Sequence, residues 1–147
     1  MKLQPVGDQL MFAQDREEFE SFKVPKQAQY ALVSPIDSIS LLRDNVACII
    51  EQHDMKFVPG GLSKSVLEIQ SPIIVDRGRI VGLWEYDPEA EQIVSFCFVA
   101  KNKELTKAVE RTGEYVRKQL GDARSFSLDS PKSRAPRIQA LRKAAAR

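Results

Sequence analysis

At 147 residues, with 43% hydrophobic and 29% charged side chains, the chain has the size and composition of one globular domain, which excludes a disordered, collagenous or disulfide-dense protein. No apolar run approaches the roughly 20 residues of a membrane span, and the N-terminus has no apolar signal core, so a cytoplasmic address with no membrane partner is expected. The formal net charge is +2 but unevenly spread: residues 129–147 hold six cations against Asp129, a net +5, while the rest holds 16 basic and 19 acidic side chains, a net −3.

Along the chain, Val6, Leu10, Met11 and Phe12 around Gly7-Asp8 predict a short strand-turn-strand entry. "DREEFESFK", with Phe19 and Phe22 three apart and Asp15 as N-cap, predicts one or two helical turns stopped before Pro25. "QYALVSP" reads as a strand ended by proline. "DSISLLRDNVACIIEQH" carries Ile39, Leu42, Val46, Ile49 and Ile50 at helical spacing behind Asp37 or Ser38. Its β-branched residues near Cys48 leave a helix-then-strand division open. "FVPGGLSKS" reads as loop.

The most legible stretch follows. Residues 73–75, 80–86 and 93–99 are apolar runs separated by "DRG" and "DPEAE", which predicts a three-stranded antiparallel meander with Gly78 free to take positive φ. Alternation is imperfect in "IVGLWEY" and "IVSFCFV". One sheet face is therefore expected to be well buried and the other partly covered, with mid-strand Gly82 marking a bulge or a close backbone approach. "KNKELTKAVERTGEYVRKQLGD" predicts a helix capped by Asn102, stopped by Gly121 and laid on the sheet through Leu105, Ala108, Val109, Thr112, Val116 and Leu120. The fold class is thus α+β, an antiparallel sheet packed with a long C-terminal helix. Residues 1–128 read as a single domain and 129–147 as a basic tail, with a Pro-rich break "SPKSRAP" and then a short basic helix or frayed coil.

Residues able to carry chemistry are few. Cys48 and Cys97 lie inside apolar runs, where a free thiol behaves as a small buried hydrophobe rather than half of a disulfide. His53 is the only histidine and has no second ligand at metal-binding spacing, so it reads as a surface residue at the end of an element. Trp84 and Tyr86 share a strand face and could stack on a base. Glu85 and the acidic "DPEAE" turn would repel phosphates there and favour a packing role. No cofactor is implied.

One stretch carries a resemblance. Ser34-Pro35-Ile36-Asp37, then Ile39, then Arg43 six residues after the aspartate, resemble the Ser-Pro-Phe-Asp-x-Leu-x-x-x-Arg stretch of the winged-helix DNA-binding family that includes the bacterial crosslink-repair DNA glycosylases. The similarity continues through Phe57-Val58-Pro59 and the hairpin "DRGRIVGLWEYD" to a strand and a long helix, from Tyr30 to Leu120. Ile36 stands where the family has an aromatic, and Leu42 where it has an acid before the arginine. The resemblance implies the C-terminal, β-rich portion of such a protein. The family's tandem winged helices and its glutamine-based catalytic pair precede that portion. Gln27-Ala28-Gln29 spells such a pair but sits immediately before the Ser-Pro-Ile-Asp stretch, where the family has no catalytic residues.

The expected function is therefore a non-catalytic, DNA-associated module. Its partners would be duplex DNA and a chain supplying the winged-helix domains. Its phosphate contacts would come from Arg43, Arg77 and Arg79 and from Lys132, Arg134, Arg137, Arg142 and Lys143 of the tail. The alternative is a protein-interaction or scaffolding domain whose acidic body rejects DNA.

Overall fold

The computed structural model describes residues 2–7, 9–41, 48–59, 63–65, 68–69, 71–124 and 127–146. The entry is a hairpin of β1 (Leu3–Val6) and β2 (Gln9–Phe12), turned at Gly7 with φ +57°. A 3-10 turn (Ala13–Asp15) leads into α1 (Arg16–Ser21). Asp15 precedes the helix as expected, but its side chain makes no capping bond.

After β3 (Tyr30–Val33) comes α2 (Ser38–Leu41), where Asp37 Oδ1 accepts the Ile39 N–H at 2.9 Å. By Ile50 the chain is extended and bridges Ile80 in parallel, in keeping with the helix-then-strand alternative. A 3-10 turn (Met55–Phe57) follows, and β4 (Ser63–Ser65) pairs with β5 (Glu68–Ile69), so part of the segment read as loop is strand.

β6 (Ile73–Asp76), β7 (Arg79–Asp87) and β8 (Gln92–Cys97) form the expected meander, and β3 adds itself to β6, giving an antiparallel sheet in the order β3-β6-β7-β8. The β6–β7 turn has only Arg77 and Gly78 between the paired Asp76 and Arg79, both at positive φ (48° and 84°). That double left-handed geometry matches the twist of the strands it joins.

Imperfect alternation in β7 has a physical cause. Val75 pairs with Ile80 and Ile74 with Gly82, so Val81 is an extra residue on β7. The bulge flips the side-chain parity. Ile80 and Leu83 consequently share one face, Val81, Trp84 and Tyr86 the other. Gly82 is also a close approach: a Cβ there would lie 2.6 Å from the Phe96 carbonyl oxygen of β8.

Both faces of the sheet are covered by helices. α3 (Lys103–Tyr115) begins at Asn102, whose Oδ1 accepts the Leu105 N–H at 2.8 Å, and widens into a π turn (Val116–Leu120) ended by Gly121 at φ +72°. Its Leu105, with Val116 of the π turn, packs on Ile74, Val81, Trp84 and Tyr86. α4 (Pro131–Ala145) covers the opposite face, adding Ile138 and Leu141 to a cluster with Ile73, Val75, Ile80, Leu83 and Val94.

The basic segment 129–147 is thus largely a docked helix. "SPKSRAP" is its first turns rather than a break. Ser130 caps the Ser133 N–H, Ser133 Oγ returns a bond to the Ser130 N–H, and Pro131 occupies the first helical position, where its missing N–H costs nothing. Pro136 leaves the Lys132 carbonyl without an intrahelical partner, but both residues are exposed, so water can serve it.

Candidate nucleic-acid interface

The cations expected to meet phosphates divide sharply once α4 is in place. Arg134 is 0% exposed. It forms a bidentate pair with Asp122 (Nη1–Oδ1 2.8 Å, Nη2–Oδ2 2.9 Å) and donates to the Ala123 carbonyl at 2.8 Å, tying α4 to the chain leaving the π turn. Arg137 donates from Nε to Glu85 Oε1 at 2.6 Å and from Nη2 to Asp129 Oδ2 at 2.7 Å. Arg142, half exposed, donates to Asp87 Oδ2 at 2.5 Å.

Glu85 and Asp87 project from the α4 side of β7, because the strand's period of two carries Leu83, Glu85 and Asp87 to one face. The arginines of α4 lie over them. Three of the tail's cations therefore bind their own domain's acids.

Burial raises the Glu85 carboxyl above the usual range by more than the Arg137 guanidinium lowers it. Asp122 goes the other way: burial opposes its charge, but Arg134 and Arg124 outweigh it and hold the carboxyl below the usual range.

The turn arginines are also occupied. Arg77 brackets both carboxylate oxygens of Asp76 and donates to the Lys26 carbonyl at 3.1 Å. Although burial of Asp76 opposes its charge, the bonds from Arg77 and the Gln29 N–H keep its carboxyl below the usual range. Arg79 pairs with Glu51. Arg43 lies outside the described residues. Of the eight expected cations, Lys132 and Lys143 alone among the described residues are exposed with no ion pair.

Lys143 belongs to a site that spacing could not show. Between the 3-10 turn Met55–Phe57 and the last turns of α4 lies a cleft of about 750 Å³, lined by Lys56, Phe57, Val58 and Pro59 on one side and Ala140, Lys143 and Ala144 on the other, with Phe96 of β8. Phe57 is 56% exposed, and Lys56 is exposed and unpaired among the described residues. "MKFVP" sets an aromatic beside a lysine and before a proline, but nothing in the sequence places it against α4 or shows the ring to be exposed.

Other candidates resolve structurally. Trp84 is buried and donates from Nε1 to the Val33 carbonyl at 3.3 Å, and Tyr86 is buried beneath α3, so Tyr86 presents no face for stacking and Trp84 only the part that lines a cleft beside α3. Gln27 and Gln29 are exposed on the loop before β3. His53 is largely exposed beside Asp54, and no group of three metal-ligating side chains exists among the described residues. Neither cysteine is in a disulfide, and Cys48 is exposed rather than buried, whereas Ile49 and Ile50 beside it join the core. No described helix is long and apolar enough to cross a membrane. No family model, curated protein or solved structure matches the chain.

Proposed function

We propose that this chain is a non-catalytic, DNA-associated module, resembling in kind the C-terminal portion of winged-helix DNA glycosylase-like proteins and acting alongside a chain that supplies the winged helices. The observation that carries the reading is the Lys56–Phe57–Lys143 cleft. Two unpaired ammonium groups flank an exposed aromatic ring, the combination that engages a phosphate backbone while a base stacks. Lys132 at the start of α4 is a third free cation.

The arginines committed to Asp122, Glu85 and Asp129 contribute to the fold rather than to the interface. The expected contact is therefore small. Three phosphate contacts give a log–log salt dependence of about −2 to −3, against the −4 to −6 of a fully engaged tail. Titrating fluorescent duplex and single-stranded DNA at several salt concentrations tests this. Lys56→Glu with Lys143→Glu should abolish binding, and Gln27→Ala with Gln29→Ala should leave it unchanged and reveal no base-excision activity to lose. Binding of undiminished strength in the lysine double variant would sink the proposal.

A second reading, a protein-interaction domain, is favoured by a different observation. The N-terminal unit exposes Leu3, Leu10, Phe12, Phe19 and Phe22, with Glu17, Glu18 and Glu20 on α1. Such a surface suits a basic, amphipathic partner segment. A helical peptide of leucine and lysine should bind it, more tightly than a leucine–glutamate counterpart, and Phe19→Ser with Phe22→Ser should remove that preference. Absence of salt-sensitive DNA binding together with this peptide preference would put the second reading first.

A further inference from the structure

On the face of the sheet opposite α4, α3 does not close fully over the strands. A cleft of about 640 Å³ remains, within the range of small-molecule sites. Leu32 of β3 and Trp84 of β7 line it from the sheet, and Val116 and Leu120 line it from the π turn. The helix widens into its π turn where it lines the cleft, the Gly121 N–H donating to the Val116 carbonyl five residues back at 2.8 Å, a distortion frequent at functional sites.

The rim is cationic. Arg111 and Arg124, both exposed, line the cleft, and the one carboxylate among its described lining residues, Asp122, already takes both terminal nitrogens of Arg134 as well as the Arg124 Nε at 3.1 Å. One negative charge is thus shared by two guanidiniums. Arg111 is exposed and has no ion pair or side-chain hydrogen bond among the described residues. An apolar interior under an excess of positive charge is complementary to a molecule of opposite layout.

We infer that this cleft binds a small amphiphilic anion, an apolar body seated against Leu32 and Trp84 with a single carboxylate, sulfonate or phosphate group held at the mouth by Arg111 and Arg124. The site is independent of the DNA reading. It lies on the other face of the sheet and shares no residue with the lysine cleft.

Trp84 is the only tryptophan in the chain, so it reports from inside the cleft. The intact chain is titrated with anilinonaphthalene sulfonate, an aromatic anion, and with N-phenyl-1-naphthylamine, its uncharged analogue, following energy transfer from Trp84. The expected result is saturable binding of the anion, weakened about tenfold or more by Arg111→Gln, with the uncharged probe indifferent to that change. Because the Arg111 side chain makes no ion pair or hydrogen bond among the described residues, Arg111→Gln should leave folding intact; Arg124→Gln should act in the same direction. Displacement by octanoate or by 1-naphthoate supports the site and shows whether the body it prefers is aliphatic or aromatic. Phe12→Ser with Phe22→Ser alters the N-terminal apolar surface and Lys56→Glu with Lys143→Glu the lysine cleft, and both should change nothing. Equal affinity of both probes, indifference to Arg111→Gln, displacement by neither carboxylate, or loss of the signal in the phenylalanine or the lysine variant would each overturn the inference.

Discussion

Glu85 sits at mid-strand in β7 with 0% exposure, and while Oε1 takes the Arg137 Nε, Oε2 has no hydrogen-bond partner among the described residues. Removing Arg137 would leave a buried, uncompensated charge, so Arg137→Ala should destabilise by about 3 to 5 kcal/mol near neutral pH. The pH dependence has a definite sign. Glu85 has its folded pKa raised by burial, so its penalty is absent below the unfolded value, about 4.3, and stability falls as pH rises from there through the raised folded value. Without Arg137 the penalty grows. Urea titrations should therefore show Arg137→Ala losing more at pH 8 than at pH 5, and Glu85→Gln in that background should restore part of the loss. Equal destabilisation at both pH values would count against a buried carboxylate as the cause. Trp84 offers a simpler case: it is buried, hydrogen-bonded and central to the α3 cluster, so Trp84→Ala should cost about 3 to 5 kcal/mol in the same titration.

Among the elements, β7 is where sequence and structure inform each other most. The glycine in "IVGLWEY" is needed because a Cβ at position 82 would meet the Phe96 carbonyl, a backbone atom that cannot swing aside. Gly82→Ala should push β7 and β8 apart and destabilise by about 1 to 3 kcal/mol, readable as lost amide-exchange protection across the Gly82–Cys97 and Leu83–Phe96 pairs. Unchanged protection would show that β8 yields more easily than a central pairing should. The meander, its two turns, the Asn102 start of α3 and the Gly121 end of the π turn that continues it were legible because each is set by local chemistry: turn glycines, a side-chain cap, helical spacing. α4 was legible only in part. "SPKSRAP" reads as a Pro-rich break, and the residues after it as a short basic helix or a frayed coil. What made the helix dock, carboxylates on β7 and Asp122 waiting for Arg137, Arg142 and Arg134, is long-range pairing that no window of sequence contains. The lysine cleft was hidden for the same reason, since Lys56 and Lys143 meet only after α4 has crossed the sheet.

For the molecule as a whole, charge average and charge placement lead to opposite expectations, and deleting α4 separates them. A net +5 segment on a −3 body reads as a detachable electrostatic arm, whose removal would cost binding and little else. In the folded chain the same segment contributes Ile138 and Leu141 to the larger core cluster and the cations facing Glu85 and Asp87 on the central strand. Removing residues 130–147 would expose Ile73, Leu83 and Val94 and leave Glu85 unpaired, two penalties that together approach the whole stability of a domain this size. The chain ending at Asp129 should thus be unfolded or aggregation-prone, with no cooperative thermal transition, whereas Lys56→Glu with Lys143→Glu should melt as the parent does while losing DNA binding. A truncated chain that keeps a cooperative transition within a few degrees of the parent would return the segment to the status of an arm. Circular dichroism and a DNA titration on the two variants side by side decide between a helix that builds the domain and one that merely carries its charge.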